Sequence, residues 1–242
     1  MDASAWKVES LRVTLMCAQP LAIEASKVFD AVRPGEPQET QTAPLVHAGV
    51  FGEEVLQVQL AEDRARIDVV VGPRPKVVES GIQSLAGGAT ACVERLGELA
   101  RHTLRATEHG NRLALGLVLL RQVESVEGGN VVVREKLPEI AEAVTRDATD
   151  LAFQLSTPVV VDGKTTMNLF ERWNVHRIDR VAFAPTGMRH APPTFVVRHE
   201  LDYNTPVALP PGPAVRLFTH EDLEGAAADL LERMRARVTA TT

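Results

Sequence analysis

The sequence predicts an α+β fold, with antiparallel or mixed sheets covered on one side by helices and arranged as two related ferredoxin-like β-α-β-β-α modules. Three observations carry that expectation. Residues 11–122 alternate between strand-like and helix-like periodicity in the order β-α-β-β-α-β. The tripeptide Arg-Ile-Asp occurs twice, at Arg66-Ile67-Asp68 and Arg177-Ile178-Asp179, and each copy leads into an apolar stretch that stops at a proline, Pro73 or Pro185. The chain is 45% hydrophobic but only 4% aromatic, so Val, Leu, Ala and Ile must build the core, which suits helix-on-sheet packing. The expected modules are 1–122 and 123–242, able to pack as one continuous domain in a chain of 242 residues.

Each element has a local reason. Leu11, Val13 and Leu15 alternate with Arg12 and Thr14, which predicts a first strand over Leu11–Cys17. Between Pro20 and Pro34, Ile23, Ala25, Val28, Phe29 and Val32 fit one helix face. The run Arg33–Pro44 has little to bury and predicts an exposed loop. Residues Val55–Leu60 and Ile67–Val71 read as a hairpin across a polar turn, its first arm wet on one face. A helix capped by Thr90 presents Val93, Leu96, Ala100 and Leu104. Arg112–Gln122 is apolar on both faces and predicts the most buried strand.

The second half restarts after a turn at Gly128-Gly129-Asn130, with a helix from Pro138 that faces Ile140, Ala141 and Val144 inward. Phe153–Val161 predicts a strand, and Pro158 inside it argues for an edge position or a bulge. Arg177–Phe183 and Thr194–Tyr203 predict an antiparallel pair. A final helix over about 221–238 starts at a Thr219 cap, with Leu223, Ala227, Leu230, Leu231, Met234 and Val238 in a stripe.

Composition narrows the function classes. With 26 basic and 32 acidic residues the net charge is −6, which disfavours nucleic acid as a main partner. The longest apolar stretch, Leu113–Leu120, is too short to cross a bilayer, and the N-terminus lacks a secretory signal, so no membrane role and a cytoplasmic location are expected. Cys17 and Cys92 form no pattern and are expected as buried free thiols.

The densest polar segment is Val197–Asn204. A general base or metal ligand there would be His199, assisted by Glu200 or Asp202. Strand geometry opposes that grouping, because His199 shares a face with Val197, Leu201 and Tyr203 while Arg198, Glu200 and Asp202 share the other. His176, Asp179 and His190 could join only if strands pair and a loop folds back. None of the seven histidines has the short regular spacing of a zinc site, and no cofactor or metal is expected. Gly87-Gly88-Ala89-Thr90 matches no phosphate-binding loop.

The reading preferred from sequence is a non-catalytic protein-interaction or assembly subunit of a larger bacterial or phage-related complex. A protein partner or self-association is expected, and contacts are expected through the proline-rich stretches 34–44, 184–193 and 205–213. The alternatives are a hydrolase using His199 or His176 with Asp179, Glu200 or Asp202, and a nucleic-acid-binding accessory protein with a ferredoxin-like sheet.

Overall fold

The computed structural model describes residues 5–75, 82–107, 110–140, 151–161, 165–179, 181–184, 187–190, 192–205 and 218–242. For 161, 165–166, 181–184 and 187–190 the description covers the backbone alone. Elements run in the order β1 (Lys7–Met16), α1 (Ala25–Val32), β2 (Glu39–Ala43), β3 (Val46–Phe51), β4 (Glu54–Leu60), β5 (Arg66–Pro73), α2 (Ala89–Ala106) and β6 (Arg112–Val123). Then follow α3 (Val126–Lys136), β7 (Ala152–Val161), β8 (Thr165–Ile178), β9 (Val181–Ala184), β10 (Gly187–His190), β11 (Thr194–Asn204) and α4 (His220–Thr241).

Nine strands make one antiparallel sheet in the order β2-β3-β4-β5-β1-β6-β11-β8-β7, and β9 and β10 form a separate hairpin. This corrects the expected pair of ferredoxin-like modules. The α+β content stands, but β6 pairs with β1 on one side and β11 on the other along most of its length, so one sheet runs through both halves. Among the described residues the second half also shows no helix between two of its strands, and only three residues of sequence separate β7 from β8. The two Arg-Ile-Asp copies do not occupy equivalent places. The first opens β5, whereas the second straddles the end of β8.

Strand alternation sorts residues onto two faces. Leu11, Val13 and Leu15 of β1, Leu113, Leu115, Leu117 and Leu119 of β6, and Ile67, Val69 and Val71 of β5 are buried with α1, α2 and α4 in the main core. Trp173 and Val175 of β8 and Val197 of β11 meet Val132, Val133 and Leu137 from α3 and its end in a second cluster, which Trp6 joins to the first. The four α-helices among the described residues therefore lie on one face. On α4, Leu223, Leu230, Met234 and Val238 are fully buried, each contributing about 1.5–3 kcal/mol. Its first turn is closed by a capping box in which Thr219 and Asp222 exchange hydrogen bonds, as the sequence predicts for Thr219.

Among the described residues the opposite face carries no helix. Its centre is a bridge across β6: Arg12 and Asp202 both stand in register with Gly116, and their side chains pair over it. A Cβ at Gly116 would come within 3.2 Å of the Arg12 side chain, so the missing side chain makes the bridge possible. A bulge between Val8 and Ser10 turns Glu9 to this face, where it accepts from Arg198.

Further differences from the sequence reading have physical causes. The 34–44 stretch contains β2, an exposed five-residue strand. Gly128-Gly129-Asn130 is no turn but part of the N-terminal half of α3, which Ser125 caps by accepting from the Gly128 amide. Gly129 is required there because a Cβ would lie 2.5 Å from Val175. The expected helix at Pro138 is a three-residue 3-10 turn, and Ala141 and Val144 lie outside the described residues. Helix α2 has Gly88 at its N-cap, with no side-chain cap, two residues ahead of the expected cap at Thr90. The strand expected over Arg177–Phe183 is split: β8 ends at Ile178 and β9 begins at Val181.

Candidate functional site

Three places in the fold are candidates for function. The first is a buried cluster beneath α4. Register sets His199 opposite Trp173, and the imidazole stacks on the indole with ring centroids 3.8 Å apart and planes 16° apart. Trp6 packs edge-on against Trp173 at 5.8 Å. Nε2 of His199 lies 3.1 Å from Glu171 Oε2, which also accepts from Arg237 Nε at 2.8 Å. Tyr203 donates to Glu171 Oε1 at 3.3 Å. An ionised carboxylate only accepts, so Nε2 carries the proton, leaving Nδ1 to accept from the Thr241 hydroxyl at 3.4 Å.

Burial decides the chemistry of this cluster. His199 and Thr241 are 0% and 1% exposed. Burial pushes the His199 imidazole below its ordinary value, and the Glu171 carboxylate offsets this only in part. Burial would push Glu171 up, yet the hydrogen bond from His199 and the charge of Arg237 outweigh it and hold the carboxyl low. Burial raises Tyr203 as well. The hydroxyl–imidazole–carboxylate chain has the partners of a catalytic relay but is sealed from solvent at the hydroxyl end. It fastens the last turn of α4 to β8 and β11, and Lys136 adds a hydrogen bond to the Ala240 carbonyl.

The residues singled out from sequence do not converge. His199 faces the helices, whereas Glu200 and Asp202 face the open side and pair with Arg198 and Arg12 respectively. His176 lies exposed on the open side, opposite Val196. Asp179 is exposed and pairs with Arg177 at 2.9 Å, as Asp68 does with Arg66 at 2.8 Å. The side chain of His190 lies outside the described residues. Glu171, the true partner of His199, escaped sequence reasoning because it is 28 positions away. One signal was present: Met167, Leu169, Trp173 and Val175 alternate as a buried strand face, and Glu171 is the single charge on it.

The second place is a cleft of about 360 Å³ beside α1 and α2, lined among others by Arg33, Glu54, Arg95 and His102. Arg95 grips Glu54 with two hydrogen bonds of 2.7 and 2.6 Å, and Arg33 adds a third at 3.2 Å while lying over the Phe51 ring. The Arg95 hydrogen bond is the main reason the Glu54 carboxyl sits below its ordinary range. One carboxylate is shared by two guanidiniums, and this triad ties α1, β4 and α2 together. Among the described residues no group of three or more His, Cys, Asp or Glu could hold a metal ion, and no helix is long and apolar enough to cross a membrane. Cys17 and Cys92 are buried and free, and burial pushes the Cys17 thiol up to about 11.

The third place is the sheet edge formed by β7. This strand pairs with β8 over all ten residues, Ala152↔Asn174 through Val161↔Thr165, and no strand pairs with its other side among the described residues. Val175 N–H donates to the Leu151 carbonyl, so odd-numbered residues face β8. The backbone groups of Ala152, Gln154, Ser156, Pro158 and Val160 therefore point outward. Pro158 thus costs the ladder no hydrogen bond, consistent with the edge position expected from it. The strand has no charged residue, and it holds two of the three exposed large hydrophobics among the described residues, Leu155 at 46% and Val160 at 61%.

No protein-family model matches the chain, and no curated protein does. Among solved structures, an uncharacterized protein from Mycobacterium smegmatis aligns over 96% of this chain and 88% of its own, at 13% identity and a TM-score of 0.14. A likeness that low carries no structural or functional argument.

Proposed function

We propose that the protein is an interaction or assembly subunit that engages its partner by strand addition at β7. One observation carries this reading: a ten-residue edge strand without a charge, unpaired along its outer side among the described residues, bearing an exposed aliphatic side chain on each face. Edge strands otherwise invite unwanted pairing, and they are ordinarily blunted by charge, by shortness or by cover. Added strands gain affinity from main-chain hydrogen bonds and selectivity from alternate side chains. A hydrolase built on His199 finds no support in this geometry, since the imidazole is sealed and Glu200 and Asp202 stand on the other face. Nucleic-acid binding gains none either, because Arg12 and Arg198 on the open face are matched by Asp202, Glu200 and Glu9.

The test compares the wild-type chain with Gln154→Pro as bait in its native extract, followed by hydrogen exchange on any captured complex. Gln154 N–H faces outward, so the substitution removes an edge donor without breaking the ladder to β8. The expected result is a partner held by the wild type and lost by the variant, with amides of Ala152, Gln154, Ser156 and Val160 protected in the complex. Protection confined to other surfaces, or equal capture by both baits, ends the proposal.

A further inference from the structure

We infer that the partner seated on β7 is a second copy of this chain, joined antiparallel about a twofold axis through Gln154; this rests on the strand-addition reading above. The inference comes from the order of side chains along the edge. An isologous contact must be self-complementary, so each residue of β7 has to suit the residue that the axis sets against it. Centring the axis on Gln154 makes Gln154 face its own copy, Ala152 face Ser156, and Phe153 face Leu155.

That register satisfies three requirements together. Ala152, Gln154 and Ser156 all possess the N–H that points outward, so three facing pairs exchange two hydrogen bonds each, about six in all. Phe153 and Leu155 project on the helix face, where Phe153 is partly buried and Leu155 is 46% exposed. In the paired edge, each Leu155 meets the other copy's Phe153 as a directly opposed apolar pair, which removes the exposed leucine from water. Pro158 falls outside the three central pairs. Registers centred on Leu155 or Ser156 would set Pro158 against Ala152 or Gln154 and lose a hydrogen bond at each end. Charge adds a further reason. The chain carries −6 overall, and β7 offers an approach with no like charges along the strand itself.

The experiment uses the full-length chain in sedimentation velocity from roughly micromolar to near-millimolar concentration, since a strand-edge contact belongs to the small, weak class of interfaces. The wild type is expected to pass from monomer to dimer, and Gln154→Pro is expected to weaken that association about 30-fold or more. Two further variants test the register without touching the backbone. Gln154 is exposed, and its side chain accepts from Arg172, so Gln154→Lys and Gln154→Glu should both fold. Each alone sets like charges across the axis and should dimerise poorly, whereas an equimolar mixture should recover dimer.

Dimerisation unaffected by Gln154→Pro, or a mixture no better than its components, overturns the inference. So does a wild type that stays monomeric throughout. If that monomer still captures a different protein that Gln154→Pro cannot, strand addition survives and self-pairing alone falls. If it captures nothing, both readings fall.

Discussion

The two edges of the sheet are built differently. Strand β2 has five residues, all exposed; it starts with Glu39, which pairs with Arg74, and Pro37 stands just ahead of it. Strand β7 is twice as long, has no charge, and leaves Leu155 and Val160 in solvent. Shortness and charge are the ordinary means of preventing edge-to-edge association, and only the first edge uses them. The supports beneath the edges differ too. Near β2 the sheet is held by α1, through Phe29 against His47 and Phe51 and through Arg33 on Glu54. Next to β7, strand β8 is held by α4, through Arg237 on Glu171, and by α3. This contrast is what the proposed strand addition at β7 rests on.

The largest expected effect comes from removing the support of β8. Glu171→Ala leaves Arg237, His199 and Tyr203 without their shared acceptor in a mostly buried setting, and should destabilise the chain by about 3 kcal/mol. Denaturant unfolding measures the total, and hydrogen exchange tells where it falls. Amides of β7, β8 and the last turn of α4 should lose protection while β2 and β3 keep theirs. Uniform loss over both edges would show that the two supports are not independent.

The reciprocal change is Gly49→Ala. A Cβ there would sit 2.6 Å from the tip of the Phe29 ring and 2.9 Å from Pro37, so the ring must leave its place against β3. Overpacking of this kind costs about 1–3 kcal/mol. Loss of protection should now centre on β2, β3 and α1, and association through β7 should be unchanged at concentrations where the chain remains folded. A weakened dimer in this variant would erase the distinction between the edges.

Acid should act on the β8 side first. His199 is held below its ordinary value near 6.5, so the unfolded chain takes up a proton in a pH range where the folded chain does not. The stability that this contributes is complete above the unfolded value and is lost as pH falls toward the folded one. Glu171, also depressed, adds loss of the same sign at lower pH. The groups facing His199 are Glu171, Arg237, Tyr203 and Thr241, and the positive charge of Arg237 opposes protonation. One such group changes stability by at most about 1.4 kcal/mol per pH unit. Urea midpoints between pH 7 and 5 should therefore fall for the wild type and flatten for His199→Gln. An equal slope in both would remove His199 from the account.

Much of this division could be read from the residues in advance, and the remainder could not for physical reasons. Alternation announced β1 and the first arm of the β4–β5 hairpin, because a half-buried strand writes its period into the sequence, and a continuous apolar run announced β6. Thr219 announced α4, and Pro158 announced an edge. Helix α3 was hidden because its two glycines read as a turn, and packing against Val175 explains only the second, Gly129. Strand β8 was hidden because Glu171 interrupts its apolar face, and that residue is buried only by virtue of partners on β11 and α4. The merging of both halves into one sheet depends on β6 pairing with β11, a choice of neighbour that no local pattern encodes.

The smallest effect tests the protected edge directly. The Glu39–Arg74 pair is short, but the Glu39 side chain is 62% exposed, so solvent screens most of its attraction. Glu39→Ala should change stability by less than about 0.5 kcal/mol. Its value lies in what happens to association. If charge alone kept β2 unpaired, the variant would gain a second mode of self-association, seen as species beyond a dimer in sedimentation. Shortness argues otherwise: a five-residue strand exposes backbone groups at only two or three outward positions, too few to offset the loss of free motion on joining. The expected outcome is an unchanged distribution of monomer and dimer, and larger assemblies would mean that charge, rather than length, closes that edge.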